Sequence, residues 1–319
     1  MSTNNSYKTF DTSLKVIAPA KVNLHLEILG LRKDGFHELA MLMQSIDLFD
    51  EIEFFKTTNS EIKLSCDNPN LSLNDDNLII KAAKLIRRVS NNEQLGVEIY
   101  LKKNIPIGAG LAGGSSDGAA VLLGLNELWQ LGLSIKQLEE LSAELGSDVP
   151  FCLRGGTQFC FGRGELVEPV SQGDDSMAVI LVKDPKTSVS TPWAYSRYKE
   201  LNSTNYLNLE KDFEVRRKFL REVSWINPLT SLNPPPLKND LQKVIEPITP
   251  AVRNGLHFLS SLNGVLSLAM SGSGPSCFAV FANLDSAQIE FKKNQKKLES
   301  LGFNGWCCSF RSKGVTLCL

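Results

Sequence analysis

At 319 residues, with 42% hydrophobic and 22% charged, the chain is long enough for one large or two ordinary domains, each with its own core. A formal net charge of −1 supplies no broad basic field for nucleic acid or an anionic membrane. No apolar run approaches the ~18 residues of a spanning helix, and seven scattered cysteines without a C-x-x-C pair make neither a disulfide framework nor a zinc site. The expected ligand is therefore a small molecule, and the expected setting is the reducing cytoplasm.

Met1–Ser13 is polar, lacks the apolar core of a secretory signal, is poor in arginine, and reads as a disordered lead-in. Leu14–Leu29 and Ile46–Lys56 read as strands. Within the first, alternation over Ala18–Leu26 puts Lys21, Asn23 and His25 on one face and Val22, Leu24 and Leu26 on the other. A lysine so placed is also compatible with a simple solvated face. Ile62–Cys66 is a short strand among turns, Asn77–Val89 an amphipathic helix, and Val97–Lys102 a strand.

That strand delivers the chain to its most informative segment, Pro106-Ile107-Gly108-Ala109-Gly110-Leu111-Ala112-Gly113-Gly114-Ser115-Ser116. Glycines let backbone amides approach an anion at positive φ, and the helix expected after Ser116 adds unpaired N–H donors and the positive end of a dipole, so the loop is suited to phosphate. The G-x-G-x-x-G within it is weak by itself. Helix follows helix rather than strand, so no dinucleotide fold is indicated. Gly114 is followed by two serines without lysine, which excludes a Walker loop, and the signatures of a protein kinase are missing. An ordinary loop and helix cap stays open on this segment alone.

Ala119–Gln130 is helical, and Ser134–Leu145 opens on a capping box of Ser134 and Gln137, buries Ile135, Leu138, Leu141 and Leu145, and stops at Gly146. Gly146-Ser147-Asp148-Val149-Pro150-Phe151 then wedges an aspartate between a glycine and a proline. Gly156–Phe161 and Ala178–Val182 are strand-like. Lys183–Ser231 is a polar region ending at Asn233-Pro234-Pro235-Pro236, a rigid non-helical run. Leu237–Leu262 reads as helix broken at Pro247 and Pro250. Leu266–Met270, Phe278–Phe281 and Cys307–Arg311 are strands around a helix at Ser286–Leu301. This mixed order predicts an α+β chain of two domains, residues 1–165 and 166–319.

Phosphoryl transfer needs a phosphate cradle, Mg²⁺, a cation at the transferring group and a carboxylate for the acceptor hydroxyl. The chain offers a candidate for each protein part in the Gly108–Ser116 loop, Lys21 and Asp148. The residues also carry a resemblance. Pro19-Ala20-Lys21-Val22-Asn23-Leu24, the loop Pro106–Ser116 and Met270-Ser271-Gly272-Ser273-Gly274-Pro275-Ser276 resemble the three signature motifs of the galactokinase, homoserine kinase, mevalonate kinase and phosphomevalonate kinase superfamily. Arg32-Lys33-Asp34-Gly35-Phe36-His37-Glu38-Leu39, Asp148-Val149-Pro150-Phe151 and Asn239-Asp240-Leu241 are similar to one branch of it. That branch phosphorylates a cytidine-diphosphate-linked polyol in the non-mevalonate isoprenoid pathway.

The resemblance covers nearly the whole chain and implies roles. ATP with Mg²⁺ is the donor, bound at Pro106–Ser116, and no protein ligand of the metal is indicated. Asp148 would be the base and Lys21 the cation whose charge serves both the acid and the transferring phosphoryl group. Asn23 would hydrogen-bond substrate, and Phe36 and His37 would take the cytosine. Tyr195, after Thr191-Pro192, would supply a second ring, although it also reads as one more aromatic in a polar loop. Gly272, Ser273 and Gly274 would close on the substrate diphosphate. Ala109 and Ala112 stand where the family often has glycine, Ser147 where it often has alanine, Gln242 where it usually has glutamate, and Phe36 where tyrosine is commoner. The expected partner is this small molecule, with no nucleic acid or membrane, and the chain a monomer or weak homodimer. Another kinase of the superfamily, such as a homoserine or mevalonate kinase, and a catalytically silent nucleotide sensor remain alternatives.

Overall fold

The computed structural model describes residues 13–170, 176–222, 232 and 236–318. The polar lead-in lies outside them apart from Ser13, as do most of the Asn233–Pro236 run and the end of the Lys183–Ser231 region. In chain order the elements are β1 (Ser13–Leu31), β2 (His37–Lys56), β3 (Ile62–Cys66), α1 (Leu78–Ser90), β4 (Val97–Lys102), α2 (Gly113–Leu128), α3 (Ile135–Leu145), α4 (Val149–Arg154), β5 (Thr157–Gly162), β6 (Leu166–Pro169) and β7 (Ala178–Lys183). They continue with α5 (Thr191–Asn202), α6 (Glu210–Glu222), β8 (Lys238–Asn239), α7 (Gln242–Ile245), α8 (Pro250–Ser260), β9 (Ser267–Met270), β10 (Cys277–Phe281), α9 (Leu284–Ser300), β11 (Asn304–Ser309) and β12 (Thr316–Cys318). Mixed helix and strand throughout make the fold α+β, as expected.

Eight strands form a larger sheet with the path β12-β1-β2-β4-β3, to which β5 and β6 attach through β2, and β8 through β1. A second sheet has the order β11-β7-β10-β9. The last strand therefore returns to the first, with Lys15 opposite Cys318. Val22, Leu24, Leu42, Val179, Leu181 and Phe278 belong to one buried cluster drawn from both sheets, while α1 and α2 pack on the larger sheet through Ile79, Ala83, Val121 and Leu125. No helix among the described residues is long and apolar enough to cross a membrane.

Several elements differ from expectation. β2 begins at His37 rather than Ile46, because His37–Ser45 is buried almost continuously on both faces and shows no period-two signal. The polar region holds two helices, α5 and α6. Each buries only two described side chains, Ala194 and Tyr198 in one and Phe213 and Leu220 in the other, too few for a visible apolar stripe. The Leu237–Leu262 segment opens with strand β8, whose parallel pairing to β1 is a tertiary choice. In α3 the capping box forms as read, but Ile135 is exposed, since it sits in the first turn beside the cap rather than over the core.

Candidate active site

Ten of the eleven residues of the glycine-rich loop, Pro106–Ser115, line one cavity of about 1250 Å³. Gly108 and Gly110 lie at φ 61° and 74°, and Ala112 adopts the same left-handed region at φ 56° as the N-cap of α2. The helix starts at Gly113, inside the loop, rather than after Ser116. The amides of Gly113, Gly114 and Ser115 therefore form its acceptor-free first turn, and Ser116 N–H is already bonded to Ala112 O at 2.9 Å. Ser116 is fully buried and absent from the cavity wall. Beneath the loop, the buried Lys103 ammonium pairs with Asp50 and, at 2.8 Å, with Asp117. Asp50 Oδ1 also accepts the amides of Asn104 at 2.6 Å and Ile105 at 2.8 Å, fastening the loop's root to β2. Burial pushes the Asp117 carboxyl well above the usual carboxylate range, with Lys103 opposing the rise and Asp50 adding to it.

Lys21 and Asn23 reach the same cavity through two irregularities in β1. The β1–β2 register shifts between Pro19 and Lys21 and again between Asn23 and His25, where Leu24 has no partner of its own. The first shift leaves two extra residues on β2 and the second one extra on β1, and the buried side chains change sides across each, Ala18 against Ala20 and Leu24 against Leu26. Between the slips Val22 and Leu24 point into the cluster shared by the sheets and Lys21 and Asn23 into the cavity; beyond them Leu26 takes the cavity side. The expected single face carrying Lys21, Asn23 and His25 is thus interrupted: His25 lies off the cavity wall, 3.4 Å from Glu27. The Lys21 amide bonds Leu111 O at 3.1 Å. Its buried ammonium lies 2.6 Å from Asn23 Oδ1, 3.3 Å from Gly110 O and 3.6 Å from Asp148 Oδ2. Asp148 is held at the N-cap of α4, two residues after the Gly146 that ends α3, and keeps 30% of its side chain exposed.

The Ser271–Gly274 turn closes against the first loop. Ser271 Oγ donates to Gly110 O at 3.0 Å, and a Cβ at Gly110 would stand 2.3 Å from Ser271 O, so only glycine fits there. Asn239 Nδ2 donates to the carbonyls of Met270 and Gly272 at 2.7 and 2.8 Å, and Ser273 Oγ shares a 2.8 Å bond with Thr191 Oγ1. Gly272 and Ser273 line the cavity. Gly274 does not, because it turns toward Met270 and spends its amide on Ser271 O.

The aromatic end is built from the Arg32–Leu39 motif. Asp34 Oδ1 accepts Phe36 N–H at 3.1 Å, Arg32 N–H bonds Phe36 O at 2.8 Å, and Gly35 supplies φ 87° for the turn. Glu38, 1% exposed, anchors it by accepting from Arg32, Arg217 and the Gly162 amide. Phe36, half exposed, and His37 both face the cavity, as does Tyr195, whose ring stacks on His37 at 5.2 Å. Tyr206, which the sequence did not single out, bonds His37 Nε2 at 2.9 Å; it sits alone in a polar stretch, with no pattern to mark it. Burial and, after it, the Lys199 charge lower the His37 pKa, favouring the neutral ring.

Models of the GHMP kinases match here, the N-terminal domain over residues 77–156 and the C-terminal domain over 217–300. Fold, paired glycine loops and these matches define a GHMP kinase. A protein of Prochlorococcus marinus, 67% identical over 317 residues and 99% of both chains, is named 4-diphosphocytidyl-2-C-methyl-D-erythritol kinase. So is one of Synechococcus sp., 58% identical over 95% of this chain and 99% of its own. The crystal structure of a 4-(cytidine 5'-diphospho)-2C-methyl-D-erythritol kinase superposes with TM-score 0.69 at 29% identity, covering 93% of this chain and 98% of that one. Homoserine kinase from Cytophaga hutchinsonii, 18% identical with TM-score 0.69, covers 99% of this chain and 100% of its own, and shares the fold. The chain belongs to the 4-diphosphocytidyl-2-C-methyl-D-erythritol kinase family.

Proposed function

We propose that this chain transfers the γ-phosphoryl group of ATP to the 2-hydroxyl of 4-diphosphocytidyl-2-C-methyl-D-erythritol, a step of the non-mevalonate route to isopentenyl diphosphate. The observation that carries the reading is the approach of Lys21 Nζ to Asp148 Oδ2, 3.6 Å, in a cavity lined at once by the glycine-rich loop and by Phe36, His37 and Tyr195. In this reading the amides of the Gly108–Ser115 stretch hold the triphosphate. Asp148 accepts the proton of the 2-hydroxyl as its oxygen bonds the γ-phosphorus and the bond to the β–γ bridging oxygen breaks, releasing ADP. Lys21 offsets the charge that develops on the transferring group. Asn23 fixes the Lys21 head and turns toward the acceptor.

The amides around Gly272 and Ser273 face the substrate's diphosphate, the rings of Phe36 and Tyr195 take the cytosine, and neutral His37 hydrogen-bonds its edge. The Ser115 hydroxyl and the Asp148 carboxylate, both of residues lining the cavity, are hard donors of the kind Mg²⁺ takes. Ser115 would hold the ion together with phosphate oxygens and water, and the ion would supply charge neutralisation on the phosphates. All seven cysteines are free thiols, in keeping with a cytoplasmic enzyme acting on a small molecule as a monomer or weak homodimer. ADP release tests the reading. It is expected with the cytidyl substrate and not with homoserine, mevalonate or a pyrimidine-free polyol. Turnover of any of those three at equal rate, or ATP binding with no turnover, overturns it.

A further inference from the structure

Phe36 presents a difficulty that its backbone does not resolve. The turn fixes its main chain from both sides, yet the ring is 52% exposed and has no hydroxyl by which to be tethered. A mobile ring makes a poor stacking surface, because its rotamer freedom is lost on binding. One group addresses it. The guanidinium of Arg163 lies over the Phe36 ring, 5.0 Å from its centroid, within the range of a cation–π contact.

The position of Arg163 is itself built. It occupies the tip of the β5–β6 hairpin between Gly162 and Gly164, both at positive φ (68° and 123°). Because β5 pairs with β2 so that Gly162 stands opposite Leu39, the tip falls beside the Arg32–Phe36 turn. The Gly162 amide is bonded to Glu38 at 3.1 Å, and the Arg163 amide to Glu165 at 2.6 Å. The Arg163 head is 3.6 Å from Glu165, a loose pairing that leaves the guanidinium available to the ring, and both Arg163 and Phe36 line the cavity.

We infer that Arg163 is a positioning residue, which acts through Phe36 by holding its ring ready to stack on the pyrimidine of the acceptor substrate. The inference rests on the reading of the preceding subsection. Among the described residues the bonds of Arg163 and Phe36 run to Glu165, Asp34 and Arg32 and not to the glycine-rich loop or the Lys21–Asp148 pair, so the contact bears on acceptor recognition.

Steady-state kinetics of R163M, R163K, F36A and the R163M/F36A double variant test it. R163M, which keeps the stem and removes the charge, is expected to raise the KM for the cytidyl substrate roughly fivefold, the weight of one partly exposed cation–π contact. kcat and the KM for ATP should stay at wild-type values, and R163K should recover most of the loss. In the F36A background R163M should add nothing, since the two residues act as one unit. An unchanged KM in R163M, or no recovery in R163K, overturns the inference. So does an equal rise of KM in both backgrounds, which would mean direct contact with the diphosphate or a loosened hairpin. Wild-type protein that fails to turn over the cytidyl substrate overturns the proposed function itself and, with it, this inference; the variants are informative against a working enzyme.

Discussion

Two register shifts determine where Lys21 and Asn23 end up, and Leu24 marks the second. It has no partner on β2, and the slip it makes is what sets the cavity-facing pair on one side and His25 on the other. The ammonium of Lys21 lies 3.6 Å from Asp148, and the proposed role of that carboxylate as base can be tested apart from nucleotide binding. In D148N, kcat is expected to fall by roughly a hundred- to ten-thousandfold with ATP affinity retained; full turnover measured by coupled ADP release would remove the base assignment. Ala112 carries a different burden. Its φ of 56° costs about 1 kcal/mol for a residue with a Cβ, more than the entropy glycine would lose there, so A112G is expected to stabilise the fold by roughly 0.5 kcal/mol in denaturant unfolding. A loss of stability would show that the Ala112 methyl packs usefully. Lys21, Asp148 and the glycines were legible because chemistry restricts their type and spacing. The bulge was not, because alternation along a strand contains no mark of an unpaired residue.

At the scale of elements, α5 couples two parts of the aromatic end. Tyr195 and Lys199 are one turn apart on it, so the ring that stacks on His37 and the cation that depresses its basicity arrive together. Because the His37 pKa is lowered, the neutral ring prevails through the neutral range, and the KM for the cytidyl substrate is expected to be flat there and to rise only on acidification below the ordinary imidazole range. K199M removes the positive neighbour and should move that rise to higher pH in a KM–pH profile; an unmoved inflection would exclude His37 as its source. The α3 capping box and the α2 region declared themselves in the sequence through fixed local chemistry. Helices α5 and α6 did not, since two buried side chains each leave no period to read. The long β2 was hidden for the opposite reason, burial on both faces.

Across the whole molecule, the larger sheet is assembled from both ends of the chain. A fragment ending at residue 165 lacks β6, β8 and β12 and exposes the β1 edge at Lys15–Ile17. It is expected to show no cooperative melt by circular dichroism; a sharp transition would mean that the strands up to β5 suffice. The Asp50–Lys103–Asp117 network makes a second molecule-wide prediction. Burial raises the Asp117 pKa above the ordinary carboxylate value that it has in the unfolded chain, against the pull of Lys103. Its contribution is therefore fully present below the ordinary carboxylate pKa and declines as pH rises above it. D117N should flatten that part of the stability–pH curve in urea titrations, and an unaltered slope would place the proton elsewhere. Motifs revealed the site earlier than periodicity revealed the sheet, because pairing partners such as Cys318 and Lys15 are distant in sequence and chosen by tertiary packing.

The turn at Arg32–Phe36 is anchored by its own bonds, and the helix bearing Tyr195 is joined to the glycine-rich half of the cavity by the hydroxyl pair of Thr191 and Ser273. Such an arrangement lets the turn be exchanged as a cassette: grafting a different one onto this scaffold should redirect which alcohol is accepted while the grip on the donor survives intact.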